Sequence, residues 1–281
     1  MRKQELRLRK NPHKTSFTLC VSIILFVTLA CNATVTVFNP TPTPIPPIPS
    51  PVVPTATSVP LVSQQVTLVA VPFSETNPGP DFPSYTITAQ TPQLTGSDDP
   101  RVLAFNQRLN NLVTKEMDMF RQSFQGLPVT PLTSGSSLDV KYSLISQYAD
   151  IWSLKFDFPF YSDGAAHPGL YSITMNYDLG QGKELVLGDL FITNSNYLEA
   201  ISNYCISELS KQPFFDGPFQ EGAQPTVENY RNWNIATDGL MITFDEYQVA
   251  PYAAGPQTVT IPYGELLQVI DQQGPLESLL P

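Results

Sequence analysis

Alternating apolar and polar positions predict that much of the chain after residue 60 is β-structure. Residues 137–147 and 151–161 alternate with a period of two and are separated by Tyr148, Ala149 and Asp150. This pattern is typical of a hairpin with its turn at those three residues. Further strands are predicted at residues 65–73, 84–90, 168–179, 240–244 and 258–261.

A different spacing predicts a long helix over residues 100–124. Apolar residues recur there three or four positions apart, which places them on one face of a helix. Asp98 and Asp99 stand just before the segment, where a carboxylate can cap the first turn and interact favourably with the helix dipole.

A second helix is predicted over residues 194–209, with Asn194 or Ser195 as its cap and Cys205 on its apolar side. A short final helix is predicted over residues 263–270. Strands interleaved with two main helices indicate an α+β fold, with a mostly antiparallel sheet packed against those helices.

Composition agrees with a folded domain that follows an exported leader. The chain is 42% hydrophobic and 11% aromatic, which is enough to form a core. Residues 1–30 hold six of the 15 Lys and Arg residues but only one of the 25 Asp and Glu residues, so residues 31–281 carry a net charge of −15. Such a charge disfavours nucleic acid as a partner and favours a cationic one. An acidic surface that only keeps the protein soluble is the alternative.

The first thirty residues have the pattern of a bacterial secretory signal. A basic stretch precedes an apolar run over residues 17–30, which is short for a membrane span of roughly 20 residues. The run ends at Ala30-Cys31, which resembles a lipobox, in which the cysteine becomes the lipid attachment site. The sequence therefore predicts a lipoprotein at the extracytoplasmic face of the cell membrane. An uncleaved signal anchor is the alternative.

A tether follows the predicted lipid attachment site. Residues 40–60 contain nine prolines in 21 positions. Because proline lacks an N–H group and has a fixed φ, this stretch favours extended polyproline II rather than a helix or sheet. It is expected to hold the folded part away from the membrane.

Three blocks of residues carry a resemblance to a known bacterial family. Residues 161–168 read YSDGAAHP, residues 174–191 read TMNYDLGQGKELVLGDLF, and residues 233–266 contain YQVAPYAAG followed by VTIPYGEL. In order and spacing these blocks resemble the family called domain of unknown function 3298. One departure is Ala165, which stands where the family has a second adjacent glycine.

A weaker similarity lies upstream, where residues 85–113 resemble the partner domain of unknown function 4163. The predicted organisation is a signal peptide (1–30), a lipid-anchor site and linker (31–61), a part resembling domain 4163 (62–135) and a part resembling domain 3298 (136–275).

The resemblance implies an extracytoplasmic binding module rather than an enzyme. Such domains occur in the ectodomain of an anti-sigma-V factor that acts as a lysozyme receptor, and beside the catalytic domain of a peptidoglycan deacetylase. The chain shows no deacetylase domain, and the segment before the apolar run is too short for a sigma-factor-binding domain. Signalling through a sigma factor is therefore not inherited from the resemblance.

The residues themselves offer little catalytic chemistry. His167 is the only histidine after residue 31, and no HExxH, CxxC or GxSxG motif occurs. His167 is interpreted as a turn residue before a proline, with partner contact and catalysis as alternatives. Acidic residues are too numerous for any pair to indicate a glycosidase, and Asp189 is interpreted as capping a turn. We expect no enzyme activity, metal or cofactor.

The loop over residues 249–256 is the better candidate for binding. It contains Pro251, Tyr252 and Gly255, in which proline stiffens the backbone and tyrosine presents a rigid amphipathic side chain. A structural corner with Tyr252 buried is the alternative. We predict that this loop and His167 together bind lysozyme or another wall-degrading enzyme. A peptidoglycan-binding accessory module and an undetected cell-wall hydrolase are the alternatives.

Overall fold

The computed structural model describes residues 61–77, 83–125, 135–215 and 217–281. The predicted signal peptide, the lipid-attachment residue Cys31 and the proline-rich linker lie outside these residues. No helix among the described residues is both long enough and apolar enough to span a bilayer.

The larger of two sheets has six strands in chain order, and neighbouring strands are antiparallel except for the parallel pair β2–β3. The parallel pair arises because helix α1 connects β2 to β3, as parallel strands require a long crossover. The elements of this part are β1 (Thr67–Asn77), β2 (Tyr85–Thr95), α1 (Pro100–Gln122), β3 (Ser136–Tyr148), β4 (Ile151–Tyr161), β5 (Gly169–Asp178) and β6 (Lys183–Glu184).

A second sheet of three antiparallel strands follows in the C-terminal part. Its elements are α2 (Tyr197–Leu209), β7 (Trp233–Ile235), β8 (Gly239–Phe244), β9 (Gln257–Pro262) and α3 (Tyr263–Leu266). The predicted α+β class is confirmed. The single sheet expected from the sequence is in fact two sheets, and one strand pair is parallel.

Helix α1 forms where its apolar spacing predicts it. The side chains of Val102, Phe105 and Leu109 are fully buried against the large sheet. The carboxylate of Asp99 accepts a hydrogen bond from the backbone N–H of Arg101 at 2.8 Å, which confirms Asp99 as the cap. Hydrogen bonds from the Arg101 side chain and backbone lower the pKa of Asp99 to about 2.

The predicted cap of α2 is wrong. The helix begins at Tyr197 with Asn196 as its N-cap, and no side-chain hydrogen bond is made there. Asn194 has a φ of +63° and belongs to the preceding turn. Cys205 is fully buried as predicted, and burial raises the pKa of its thiol to about 12. The final helix is shorter than expected and ends at Leu266.

The two faces of the large sheet have different chemistry. On the α1 side, Trp152, Leu154, Phe156 and Phe158 of β4 project into an apolar core. The opposite face carries small polar side chains from β3, β4 and β5, and β7 packs against it. A second apolar core lies around α2 and the small sheet.

A buried hydrogen-bond network joins β7 to the large sheet. Asn176 accepts from the hydroxyl of Ser153 at 2.7 Å and from the N–H of Ile235 at 3.1 Å, and its own amide donates to the Trp233 carbonyl at 2.8 Å. Asn234 donates to Ser153 at 2.9 Å. All of these groups are at least 95% buried, so each lost bond leaves a desolvated polar group.

We therefore expect Asn176→Ala to lower the free energy of unfolding by about 2 to 4 kcal/mol, because it removes the acceptor of the buried Ser153 hydroxyl and the donor to the buried Trp233 carbonyl. Urea denaturation measures the loss. Asn111→Ala, at an exposed position of α1, is the matched control and should change stability by less than about 0.5 kcal/mol. Equal losses in the two variants would contradict a structural role for the network.

Candidate functional site

The open edge of β5 positions the candidate site. Strand β6 pairs only with Tyr177 and Asp178, so along the described residues the N-terminal half of β5 has no neighbouring strand on that side. The N–H of Leu170 donates to Glu246 at 3.0 Å and the N–H of Ser172 donates to Asp245 at 2.9 Å. These two carboxylates belong to the residues directly after β8. They accept the N–H groups that a neighbouring strand would otherwise bind.

Arg231 completes the arrangement around Asp245. Its guanidinium donates to the second carboxylate oxygen of Asp245 at 2.6 Å, and Asn232 donates to the same oxygen at 3.2 Å. Both oxygens of Asp245 are therefore occupied. The Asp245 carboxylate therefore connects the edge of β5 to the Arg231 guanidinium.

Tyr247 follows the two carboxylates in an uncommon backbone conformation. Its φ is +66°, in the left-handed region that residues with a side chain seldom adopt. Its side chain is exposed, with 57% of the residue's surface accessible. The ring lies 5.7 Å from that of Tyr252, with an angle of 27° between the planes. Backbone strain that holds an exposed aromatic ring in place is a feature of functional sites.

Tyr252 extends this stack to His167. The rings of Tyr252 and His167 are 3.8 Å apart and inclined by 25°. The Tyr252 hydroxyl donates to the carbonyl of Pro168 at 2.8 Å, and Nδ1 of His167 lies 2.9 Å from the same carbonyl. A carbonyl oxygen accepts only, so Nδ1 is the donor in this contact. We call Tyr247, Tyr252 and His167 the aromatic stack.

Proline and glycine residues determine the backbone conformation of the two loops that carry the stack. Pro251 has a φ of −65° and precedes the short 3-10 turn Tyr252–Ala254, which Gly255 ends with a φ of +66°. In the other loop Gly164 has a φ of +84°. Ala165 is not among the residues with positive φ, so the alanine that departs from the family pattern occupies an ordinary conformation.

A cavity of about 480 Å³ opens beside the stack. Tyr171 forms part of its wall and donates its hydroxyl to the buried carboxylate of Glu116 at 2.9 Å. Burial and this carboxylate raise the pKa of Tyr171, so its hydroxyl stays protonated. The cavity is lined by Phe160, His167, Gly169, Leu170, Tyr171, Arg231, Asp245, Glu246 and Tyr247.

The structure brings together His167 and Tyr252, which the sequence suggested as binding residues, and it places Pro251 and Gly255 in the loop that supports Tyr252. Sequence reasoning did not single out Tyr247 or Arg231. Tyr247 begins the YQVAPY pattern, and this was the available signal. Arg231 had none, because its contact with Asp245 is 14 positions away in the chain. The turn role of Asp189 is confirmed, as its carboxylate accepts the N–H of Val186 at 3.0 Å.

Within the described part of the chain, no group of three or more His, Cys, Asp and Glu side chains is arranged to hold a metal ion. The site consists of the aromatic stack and the fixed carboxylates of Asp245 and Glu246 beside it. Its chemistry suits recognition of a ligand that has an apolar face and polar substituents.

Comparison with known proteins supports the family resemblance. The model of the family described as "Protein of unknown function (DUF3298)" matches residues 188–264. This confirms the resemblance to domain 3298 for that part of the chain. The matched segment includes Arg231, the two carboxylates, Tyr247 and the loop of Tyr252, whereas His167 lies before it.

A curated relative is the peptidoglycan-N-acetylmuramic acid deacetylase PdaC of Bacillus subtilis (strain 168). It is 27% identical over 168 residues, which cover 59% of this chain and 36% of the relative. The chain therefore spans about a third of the length of this relative.

Two crystal structures share the fold at low sequence identity. A DUF3298 family member from Bacteroides fragilis NCTC 9343 aligns with a TM-score of 0.55 at 14% identity, covering 76% of this chain and 96% of that one. A DUF3298 family protein from Pseudomonas aeruginosa PAO1 aligns with a TM-score of 0.51 at 16% identity, covering 77% and 97%. Both similarities concern the fold.

The left-handed conformation of Tyr247 leads to a stability prediction. Tyr247→Gly and Tyr247→Ala both remove the ring, but glycine adopts a positive φ without a steric penalty. We expect the glycine variant to be more stable than the alanine variant by about 1 kcal/mol in thermal or urea unfolding. Equal stability would show that residue 247 is not strained.

Proposed function

We propose that this chain is a non-catalytic, extracytoplasmic accessory protein that binds the glycan of the cell wall. The observation that carries the proposal is the aromatic stack beside a cavity, in which Tyr247 and His167 are exposed and Tyr252 is half-buried. Sugar rings present apolar C–H faces edged by hydroxyl groups, and they match aromatic rings bordered by a few fixed polar groups. The deacetylase named above acts on peptidoglycan, which supports the same ligand class.

The proposed location of the protein is based on the predictions for its N-terminal residues. We propose that residues 1–30 direct export, that Cys31 carries the lipid, and that residues 40–60 tether the domain near the wall. We also propose that residues 62–135 correspond to domain 4163. The order of basic, apolar and proline-rich segments in the sequence supports this arrangement.

A non-catalytic role is favoured by how the acidic groups are used. Asp245 has both oxygens bound, Glu246 holds a backbone N–H of β5, and His167 is stacked on Tyr252. Asp245 therefore has no free oxygen with which to act as the acid or base of a hydrolase. A hydrolase would be revealed if the wild-type protein released soluble sugar from peptidoglycan and His167→Ala abolished that release.

A second candidate ligand is a cationic wall-degrading enzyme such as lysozyme. The net charge of −15 over residues 31–281 favours encounter with a basic protein. The stiff loop that carries Tyr252 is also of a kind that anchors protein interfaces. This second candidate rests on the charge and the loop, together with the resemblance to domains found in a lysozyme-receptor ectodomain.

The test is a sedimentation assay of the full-length chain, in mild detergent, with purified peptidoglycan and in parallel with immobilised lysozyme. We expect saturable retention on peptidoglycan that falls about tenfold or more in Tyr252→Ala, because a central aromatic residue contributes about 2 kcal/mol. Tyr252→Phe is the matched control, since it keeps the ring and loses only the bond to the Pro168 carbonyl.

The outcomes separate the candidates. Retention on peptidoglycan that depends on the ring of residue 252 supports glycan binding. Salt-sensitive binding to lysozyme without retention on peptidoglycan supports the second candidate instead. If the chain binds neither material, or if both Tyr252 variants bind peptidoglycan like the wild type, the proposed function is wrong.

A further inference from the structure

Four of the nine residues that line the cavity beside the aromatic stack are aromatic. The rings of Phe160 and Tyr171 lie 6.1 Å apart, and the rings of His167 and Tyr247 border the same space. The faces of such rings carry partial negative charge, so a cavity lined by several of them attracts an organic cation.

Glu246 provides a carboxylate with one oxygen to spare. Its Oε2 accepts the N–H of Leu170 at 3.0 Å, which fixes the side chain at the cavity. Among the described residues its Oε1 has no hydrogen-bond partner. Asp245 differs, because both of its oxygens are taken by Ser172, Arg231 and Asn232.

The ionised groups around the cavity leave it negative. Arg231 is the only lysine or arginine in the lining, and it lies 2.6 Å from Asp245 and 3.6 Å from Glu228. Asp245 and Glu228 therefore already neutralise the charge of Arg231, and the charge of Glu246 is left without a counterion among the lining residues. An anionic ligand would meet an excess of carboxylates, whereas a ligand carrying an ammonium group would be attracted to Glu246.

We infer that this cavity binds the free ammonium group of a de-N-acetylated amino sugar, with the sugar ring against the aromatic stack. The inference rests on the proposed function, because it takes the glycan as the ligand and specifies its form. Acetylation removes the charge that Glu246 and the rings recognise. The reaction that supplies this ligand is hydrolysis of an acetamido group, in which water cleaves the C–N bond and gives acetate and the amine.

The test compares glucosamine oligomers with N-acetylglucosamine oligomers of the same length, using calorimetry on the full-length chain in mild detergent. We expect the glucosamine oligomer to bind about tenfold more tightly at low salt, with the preference shrinking in 0.5 M NaCl because ion pairing is screened. Chemical re-acetylation of the same oligomer should remove the preference.

Two variants test whether the preference for the glucosamine oligomer arises at this cavity. Glu246→Gln keeps a carbonyl oxygen for the Leu170 N–H and should abolish the preference, so that the glucosamine and N-acetylglucosamine oligomers bind with equal affinity. Tyr247→Gly should weaken the binding of both oligomers. Glu277→Gln, outside the cavity, is the matched control for removal of a charge and should retain the wild-type preference.

Equal affinity for the two oligomers, or tighter binding of the acetylated one, would overturn the inference and leave glycan binding intact. Binding of tetralysine as tight as that of the glucosamine oligomer would also overturn it, because the ligand would then be a protein amine. If neither oligomer binds, the inference fails. Retention on peptidoglycan in the same preparation then shows whether the proposed function fails with it.

Discussion

The backbone N–H groups on the open half of β5 set the constraint on which the site depends. A strand at the edge of a sheet must satisfy these donors or leave them available to another chain. Here the carboxylates of Asp245 and Glu246 accept them, at 2.9 and 3.0 Å. The two residues come directly after β8, so binding the edge also fixes the start of the next loop. Tyr247 is thereby held in a left-handed conformation, and the loop that follows brings Tyr252 onto His167.

The same geometry requires the two sheets to be held together firmly. They meet through a polar face, where Ser153, Asn176 and Asn234 exchange hydrogen bonds with β7. Such contacts are directional, and they specify one arrangement of β7 more strictly than apolar packing does. Because β7 leads into β8, this buried network determines where the carboxylates of Asp245 and Glu246 arrive. The apolar cores on either side supply stability, whereas the polar network supplies the register between the sheets.

Local pattern predicted the elements that local forces determine. The hairpin turning at Ala149 and Asp150, the buried face and the Asp99 cap of α1, and the burial of Cys205 were all evident from spacing alone. The division into two sheets was not, because it depends on which distant strands pair and on the polar network between them. The cap of α2 was misplaced by one or two residues, since Asn194 and Ser195 have the composition of caps but belong to a turn.

The candidate site was predictable only in part, because local pattern indicates its loops but not the contacts between them. The proline and tyrosine of the loop and the lone His167 suggested two separate binding loops, and the structure places their rings in contact. The roles of Asp245 and Glu246 could not be read from a chain with many carboxylates, because only the position of the β5 edge distinguishes them. The strain at Tyr247 likewise follows from that contact rather than from its neighbours in sequence.

The most direct measurement is amide hydrogen exchange at Leu170 and Ser172, resolved residue by residue by NMR. The account predicts that both amides exchange slowly, with protection comparable to that of amides inside β4, although no strand covers them in the described residues. Glu246→Ala should release Leu170 selectively. Rapid exchange of both amides in the wild-type protein would show that the carboxylates do not bind this edge, and the proposed basis of the aromatic site would then be wrong.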